Sequence, residues 1–528
     1  MDDAHAASAT TPRGAPADVG DGGSSGSRLR LRSGERWEQI AIAVALSPAL
    51  VGIVLRWWPR SVLWLDEAQS VSFASLPVQE IPGALREDGA PPLYYVLLHG
   101  WMRIFGSGDV AVRALSAVMS TAALIVVVPF VRRRWGGVSA LAVFVLLATS
   151  PFAIRYATHA RMYSLVVLEV VVGLVLVDRA LRRDGWWRLA AVVLISGALL
   201  YTHYWALYLL GTAAAALLVT GRAAPAGSDI RRARQRTGLA VLGGFVVWLP
   251  WLPTFLFQSR HTATPWAAPA NAAAALQVFA SSAGGRSWIA MLLGVVVAVM
   301  FLVGLRVRRS GILGTNAIGV VGTAAAAAAV CGAIVSTSAV SARYFAISVP
   351  LVVVTAAVGV ARLRPPWRAA TLVVIGLLGV WLARVEVVTP RTTADELAGI
   401  IEREARPGDL VLYCPDQLAP AMHRLLARTD LGLQQRVFPP GSQPARVDWI
   451  DYTLRARRAA PDAFVRRMTH EHDATVWLVV STTYPPTEPA CSGLLRAFQQ
   501  SSRSRSRLVA DRPDLDEHGG LWRFVPDP

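Results

Sequence analysis

The sequence predicts a multi-span α-helical membrane protein that ends in an α/β domain. Of the 528 residues, 54% are hydrophobic and only 16% are charged, whereas soluble proteins carry about 25% charged residues. Long apolar runs recur between arginine clusters over residues 38–386, and residues 387–528 change to alternating helix and strand patterns. These observations exclude a single soluble globule, a disordered chain and a disulfide scaffold.

The net charge of +17 comes from 52 basic side chains, all of them arginine, against 35 acidic ones. Residues 387–528 hold 18 arginines and 18 acidic residues, so the excess lies in the first 386 residues. Membrane-length segments separate the arginine clusters. We therefore interpret the clusters as contacts to membrane lipids and as topology signals, and we exclude nucleic acid as a partner.

Residues 1–37, small and polar with five arginines, predict a disordered, basic, cytoplasmic N-terminus. About eleven transmembrane helices are predicted next, because apolar segments are long enough to span a bilayer. Basic short loops alternate with less basic ones, which places the N-terminus in the cytoplasm and the C-terminal domain outside the plasma membrane. The spans lie near residues 38–58, 110–131, 136–153, 163–181, 187–202, 205–221, 237–257, 287–305, 313–336, 344–361 and 369–386.

The outer loop 59–109 contains one apolar stretch, 91–106, that is too short to span. Counting it as a span would move Arg132–Arg134 to the outer side, against the positive-inside rule. We therefore predict a membrane-parallel helix at 91–106, with Tyr and Trp at headgroup level.

Residues 387–528 predict an extracytoplasmic α/β domain. Residues 393–414 have the pattern of an amphipathic helix, a turn and a buried strand, and residues 473–482 form a second strand. Cys414 and Cys491 follow these two strands. A disulfide and two free buried thiols fit this spacing equally well.

The first candidate site is the adjacent pair Asp66 and Glu67, just past the first span on the outer side. Adjacent carboxylates at a membrane surface repel each other and need a cation, a metal ion or a proton as partner. A carboxylate here can take a proton from a hydroxyl group, as a general base does. A helix N-terminus explains the pair as well, because acidic residues favour the first turn.

The second candidate site lies at the outer turn between the third and fourth spans. Arg155, His159 and Arg161 bring up to three cationic donors to headgroup depth, beside Tyr163. Arginine suits phosphate because its guanidinium group makes two parallel hydrogen bonds. Snorkelling of arginine toward lipid headgroups is the alternative interpretation.

Weaker candidates on the same face are His203, in a short turn, and Arg343 with Tyr344, at the start of the tenth span. Each is also explained as an interfacial anchor. Glu169, in the middle of a span, is either a functional group or a protonated carboxyl bonded between helices. The sequence has no glycine-rich phosphate loop, so nucleotide hydrolysis is not expected.

Together these motifs resemble the GT-C superfamily of membrane glycosyltransferases. Within it they are most similar to the bacterial family-39-like branch, related to protein O-mannosyltransferases and aminoarabinose transferases. The resemblance covers most of residues 38–386. It is carried by WLDEAQS at 64–70, APPLYYVLLHGWMRIFG at 90–106, Arg113 with Ser116, TSPFAIRYATHARMYSL at 149–165 and RYFAISVP at 343–350.

The resemblance implies an enzyme that moves one sugar, mannose or arabinose, from a polyprenyl-phosphate carrier to a glycan, lipid or protein acceptor on the outer face. The transfer would invert the configuration at the anomeric carbon of the sugar. Asp66 matches the base, and Glu67 would orient the acceptor or help to hold a divalent cation in members that use one. Arg155, Arg161 and Arg343 would bind the donor phosphate. No other cofactor is implied.

One residue departs from the family pattern, because relatives often carry Glu where this chain has His159. The resemblance therefore implies a retuned or a lost site at this position. Two other functions remain open. A lipid or sugar transporter would carry polar residues across the midplane, and a non-enzymatic envelope scaffold would act through the C-terminal domain.

Overall fold

The computed structural model describes residues 43–262, 271, 278, 287–307, 314–336, 338–471, 473–501 and 503–526. The predicted N-terminal segment 1–37 lies outside these residues, as does most of the connection between the spans predicted at 237–257 and 287–305.

Before residue 389 the described residues are mostly helical, and among them three 3-10 turns lie at Leu85–Glu87, Leu249–Trp251 and Ala342–Ile347. In chain order the described helices are α1 (Ala43–Leu55), α2 (Leu65–Ala74), α3 (Ile81–Ala84), α4 (Leu93–Phe105), α5 (Asp109–Trp135), α6 (Gly137–Ala148), α7 (Pro151–Ala157), α8 (Tyr163–Arg182), α9 (Trp186–Thr202), α10 (Ala206–Arg222), α11 (Asp229–Trp248), α12 (Leu252–His261), α13 (Trp288–Leu305), α14 (Thr315–Val335), α15 (Val349–Val360) and α16 (Pro365–Val388).

Five stretches in the described part of the chain are long and apolar enough to cross a membrane: α5, α11 continued through α12, α13, α14 and α16. The pair α6–α7, bent by 55°, makes a sixth if it counts as one span. Helices also occupy the other predicted segments, but they are shorter or carry more charge. The multi-span helical architecture is thus present, and the number eleven is not confirmed.

The bend between α6 and α7 has a local cause. Ser150 caps α7 by accepting a hydrogen bond from the N–H of Ala153 at 3.2 Å, and Pro151 occupies the first helical position. Arg56 is buried against the end of α6 and donates to the carbonyl oxygens of Leu147 and Ala148, both at 2.6 Å. These contacts satisfy the carbonyl groups that a broken helix leaves unpaired.

Small residues set the distance between α13 and α15. A Cβ atom at Gly359 would lie 1.9 Å from the carbonyl oxygen of Met300, and one at Gly304 would lie 2.0 Å from that of Thr355. The two helix backbones therefore touch directly, as small residues allow in membrane helix pairs.

The described residues after 389 contain five strands and further helices. The strands are β1 (Leu410–Cys414), β2 (Gln434–Val437), β3 (Val476–Val480), β4 (Arg503–Val509) and β5 (Gly520–Pro526), and the helices here are α17 (Ala394–Glu404), α18 (Ala419–Leu426), α19 (Tyr452–Arg458), α20 (Pro461–Glu471) and α21 (Glu488–Gln499). The strands form one sheet of order β2-β1-β3-β5-β4. β1 pairs in parallel with β2 and β3, while β5 is antiparallel to both β3 and β4.

The two faces of this sheet have different environments. Val411, Tyr413 and Trp477 belong to the large apolar cluster that also contains the membrane helices. Leu412 and Leu478, on the other face, pack in a separate cluster with α20 and α21. A disulfide joins Cys414, at the end of β1, to Cys491 on α21. The sheet is therefore packed against the helical part through one face.

Candidate functional site

The pair Asp66 and Glu67 lies in the first turn of α2, which begins directly after Trp64. The partial positive charge of a helix N-terminus favours carboxylates at this place. Successive helical residues point about 100° apart, so the two carboxylates face different surroundings. Asp66 and Glu67 thus begin a helix, and this helix start is also the candidate site.

Glu67 is the buried member of this pair. Its carboxylate forms a two-pronged ion pair with Arg113, with Nε–Oε1 at 2.7 Å and Nη2–Oε2 at 2.5 Å, and both side chains are almost fully buried. The N–H of Ala160 donates to Oε1 at 2.8 Å. Both oxygens of Glu67 thus have partners, and the side chain joins α2, α5 and the turn after α7.

Asp66 is the accessible member, with 20% of its side chain exposed. Its Oδ2 accepts a hydrogen bond from Nη1 of Arg343 at 2.7 Å, and Nε of Arg161 lies 3.9 Å from the same oxygen. Although burial acts in the opposite direction, nearby Tyr163 and Asp66 raise the pKa of Arg343, which stays cationic. Two guanidinium groups thus flank the accessible carboxylate.

A second acidic residue acts on Arg161 through a tyrosine. Nη1 of Arg161 donates to the hydroxyl of Tyr95 at 3.3 Å, and this hydroxyl donates to Oδ2 of Asp88 at 2.9 Å. Nε2 of Gln69 donates to the other oxygen of Asp88 at 2.5 Å. Burial raises the pKa of Asp88. This chain of contacts holds the Arg161 guanidinium at the first turns of α2.

Three rings beside the two arginines form an aromatic wall, which consists of Tyr163, His203 and Tyr344. The His203 ring lies 5.8 Å from Tyr163 and 5.6 Å from Tyr344, centroid to centroid. Burial and the two arginines lower the pKa of His203 to about 3, so its ring is neutral. The N–H of Trp205 donates to Nδ1 of His203 at 3.1 Å, which leaves the ring proton on Nε2.

His159 is buried beside Trp64 and Tyr156, at ring distances of 6.1 Å and 5.5 Å. Burial holds the pKa of His159 well below its usual value, and four arginines add to this effect: Arg391, Arg155, Arg113 and Arg343. A neutral ring therefore occupies a position that positive charges surround.

Arg155 is held away from the carboxylate pair. It forms ion pairs with Glu386 at 2.6 Å and with Asp516 at 3.0 Å. Among the described residues it has no ion pair with Asp66. Of the three arginines proposed for phosphate binding, the structure brings Arg161 and Arg343 to Asp66, while Arg155 links α7 to α16 and to the loop before β5.

The loop before β5 also reaches the start of α2. Oε2 of Glu517 accepts a hydrogen bond from the N–H of Leu65 at 3.0 Å, and Trp64 itself provides no side-chain cap. Glu517 is only 3% exposed, and burial raises its pKa to about 8. Glu517 thus caps the helix that carries Asp66.

Sequence reasoning missed Asp88, Tyr95, Gln69 and Glu517. The first three lie in the predicted outer loop, where polar residues next to an apolar run give a usable signal. Glu517 is separated from Leu65 by 452 residues, and no local pattern relates them.

The divalent cation that the resemblance implies does not fit the carboxylates of α2. Arg343 holds Asp66, and Arg113 with the N–H of Ala160 holds Glu67. In the described part of the chain, no three His, Cys, Asp or Glu side chains form a group that could hold a metal ion.

Comparisons with known proteins bear on both the sequence and the fold. Residues 89–253 match the family described as dolichyl-phosphate-mannose-protein mannosyltransferase. The comparison with curated proteins gives no match. Among solved structures, the chain is similar to ArnT from Cupriavidus metallidurans in the apo state, with a TM-score of 0.59 and 15% identity over 94% of this chain and 100% of that one.

The same ArnT bound to undecaprenyl phosphate gives a TM-score of 0.58 and 15% identity, over 93% of this chain and 99% of that one. At this identity the likeness shows the fold, and it extends over nearly the whole of both chains. The chain therefore has the fold of ArnT, and its resemblance to the GT-C membrane glycosyltransferases of the mannosyltransferase and ArnT-related branch is confirmed.

Proposed function

We propose that the protein transfers a single sugar, mannose or arabinose, from a polyprenyl-phosphate carrier to a cell-envelope acceptor on the outer face of the plasma membrane. One observation carries the proposal: the accessible carboxylate of Asp66 lies between Arg161 and Arg343. The family match, whose description names a dolichyl-phosphate-mannose donor, supports it. So does the fold shared with an ArnT that is bound to undecaprenyl phosphate.

The reaction is a displacement with inversion at the anomeric carbon. The acceptor hydroxyl oxygen attacks this carbon while the bond from the carbon to the phosphate oxygen breaks. The hydroxyl proton passes to Asp66, and the carrier leaves as polyprenyl phosphate with one more negative charge. Arg161 and Arg343 stabilise this developing charge.

The same arginines couple donor binding to the base. Arg343 donates to Asp66 at 2.7 Å. A bound phosphate competes for this guanidinium group, because Arg–phosphate pairs are charge-assisted and two-pronged. Donor binding thus frees an oxygen of Asp66 for the acceptor proton.

The other candidate residues receive roles that follow from their contacts. Tyr344, the half-buried ring of the aromatic wall, can stack against the sugar ring, and the buried rings of Tyr163 and His203 pack behind it. Arg113 and the N–H of Ala160 hold the carboxylate oxygens of Glu67. Glu67 therefore acts as a positioning residue for α2, which carries Asp66. Arg155 joins the helices to the sheet region, and no step is assigned to a metal ion.

Charge and redox chemistry support one orientation of the protein in the membrane. Arginine-rich loops belong on the cytoplasmic side, and the connections that hold Asp66 and Arg161 lie at the opposite helix ends. The Cys414–Cys491 disulfide suits an oxidising compartment. We therefore assign the sheet region to the extracytoplasmic side and the N-terminus to the cytoplasm.

A transfer assay tests the proposal. Full-length protein in nanodiscs is given radiolabelled polyprenyl-phosphate mannose or arabinose, with a membrane extract as acceptor. Loss of the base in Asp66→Asn should lower transfer by about 10²–10⁴-fold. The matched control Asp184→Asn removes an exposed carboxylate from the other helix ends and should transfer like the wild type.

Each outcome is decisive. Equal transfer by folded Asp66→Asn contradicts the role of the base. Absence of transfer from both donors, with the carrier lipid bound, contradicts the assigned sugars. Failure to bind any carrier lipid contradicts the enzyme class and favours an envelope scaffold.

A further inference from the structure

A cleft lies at the helix ends opposite to Asp66. It has a volume of about 790 Å³ and is formed by the C-terminal ends of α5 and α8 and by the start of α9. Helix α8 begins at Tyr163 in the aromatic wall and ends at Arg182 beside this cleft. Its 20 residues span roughly 30 Å, the thickness of a bilayer's hydrocarbon core. The two sites thus face opposite leaflets.

The cleft carries a large excess of positive charge. Asp178 is the one acidic residue that lines it, so the net charge of the lining is +5. Asp178 pairs with Arg182 at 2.9 Å and with Arg134 at 3.5 Å. We call this the arginine cleft; its arginines are Arg133, Arg134, Arg179, Arg182, Arg183 and Arg188.

Like charges gathered in this way repel one another unless an anion neutralises them. Arg133, Arg179 and Arg183 are exposed and form no ion pair with any residue that the structure describes. Their guanidinium groups are therefore available to an external anion. Carboxylates of the protein do not balance this charge, because Asp178 is the one acidic residue among six arginines in the lining.

The remaining lining is apolar and faces outward. Ile125 is 68% exposed. Together with Pro129 and Phe130 on α5 and Val175 on α8 it forms the apolar surface of the cleft. Trp187, which is 50% exposed, stands at the rim. Aromatic residues of this kind mark the headgroup level of a bilayer. A ligand that fits must be anionic at one end and hydrocarbon at the other.

We propose that the arginine cleft is a binding site for an anionic phospholipid, with the headgroup phosphate among the arginines and acyl chains along the apolar surface of α5 and α8. We assign bulk phospholipid as the occupant, because it surrounds these helix ends at high local concentration. Basic pockets between membrane helices hold anionic headgroups in this manner. The proposal does not depend on sugar transfer at the other leaflet.

Native mass spectrometry of the full-length protein in nonionic detergent tests this site. Phosphatidylglycerol and phosphatidylcholine with the same acyl chains are titrated in, and inorganic phosphate and undecaprenyl phosphate are added as competitors. The test variant is Arg133→Gln/Arg179→Gln/Arg183→Gln. The matched control, Arg222→Gln/Arg306→Gln/Arg362→Gln, removes equal charge from exposed arginines outside the cleft.

We expect phosphatidylglycerol to bind more tightly than phosphatidylcholine and the cleft variant to lose about 100-fold in affinity, at roughly fivefold for each arginine. The control variant should lose less than about fivefold. An unchanged affinity in the cleft variant, or equal binding of phosphatidylcholine, would overturn the proposal. Displacement by millimolar inorganic phosphate or preferential binding of undecaprenyl phosphate would overturn the assignment to a diacyl lipid.

Discussion

At the residue scale, two neighbouring carboxylates have opposite environments. Asp66 remains partly exposed between two guanidinium groups, while Glu67 is buried in an ion pair. A one-residue step along a helix is enough to produce this difference, because it turns the side chain by about 100°. Adjacent acidic residues in a motif therefore need not share a role.

The ion pair between Glu67 and Arg113 should be essential for stability. Removing one partner leaves an uncompensated buried charge, which costs about 3–5 kcal/mol. We expect Glu67→Gln and Arg113→Gln each to lower the thermal stability of the detergent-solubilised protein strongly. The double variant should lose clearly less than the sum of the two, and a purely additive cycle would contradict the pairing.

Sequence reasoning found the residues whose signal is a charge in an unusual place. Arg161 was a candidate in an outer turn and Arg343 a weaker one at the start of the tenth predicted span, and the structure brings both to Asp66. Arg155 carried the same signal, yet Glu386 and Asp516 hold it. Ion pairing with residues far along the chain has no local pattern, so sequence alone could not separate these arginines.

At the element scale, apolar length predicted where helices form but not how each is bent. Helices occupy the predicted segments, as strong apolar patterns require. The 55° bend between α6 and α7 depends on Ser150–Pro151, a readable stop signal, and also on Arg56, which directly follows α1. The second contribution is tertiary and is therefore invisible to local reasoning.

The contact of α13 with α15 gives a prediction at this scale. In Gly359→Ala the new Cβ atom would meet the Met300 carbonyl oxygen at 1.9 Å, so the two backbones must separate. Overpacking of this kind costs about 1–3 kcal/mol or more. We expect a clear drop in the unfolding temperature, measured by tryptophan fluorescence in detergent.

Gly173→Ala provides the matched control. Gly173 is also in a helix, but the nearest atom to an added Cβ is a methyl carbon of Ile195 at 4.0 Å. Alanine is the better helix former by roughly 0.5–1 kcal/mol, so this variant should be as stable as the wild type or slightly more so. Equal losses in both variants would show that the close contact is not the cause.

At the scale of the whole molecule, the sheet region and the candidate site are mechanically joined. Glu517 caps α2, Asp516 pairs with Arg155, and the N–H of Val447 donates to Gln69 at 3.0 Å. Movement of the sheet region relative to the helices therefore changes the position of the helix that carries Asp66. The charge balance of residues 387–528 predicted a separate unit but gave no sign of these contacts.

Glu517 should make this connection depend on pH. Its pKa is about 8 in the folded protein, against 4.5 for an ordinary glutamate. Between these values the folded state binds more protons than the unfolded state, so the free energy of unfolding falls as the pH rises toward 8. The stabilising contribution is fully present below about 4.5 and is lost as the pH passes 8.

Glu517→Gln should remove this contribution to the pH dependence, since a glutamine oxygen still accepts from Leu65 but does not ionise. We expect the variant to gain stability over the wild type at pH 8 and above. Unfolding temperatures from pH 5 to 9 check this, with the exposed Glu402→Gln on α17 as control. Parallel curves for Glu517→Gln and the wild type would contradict the assignment.

The disulfide between Cys414 and Cys491 has a practical consequence. The chain has three cysteines, so the bridge leaves Cys331, on the outer surface of the apolar helix α14, as the single free thiol. An apolar maleimide dye or spin label that partitions into the surrounding detergent or lipid therefore has one defined point of attachment in the helical part. Since the sequence contains no lysine, amine side reactions of the reagent are minimal. Fluorescence or spin-resonance experiments on this protein can start without engineered cysteines.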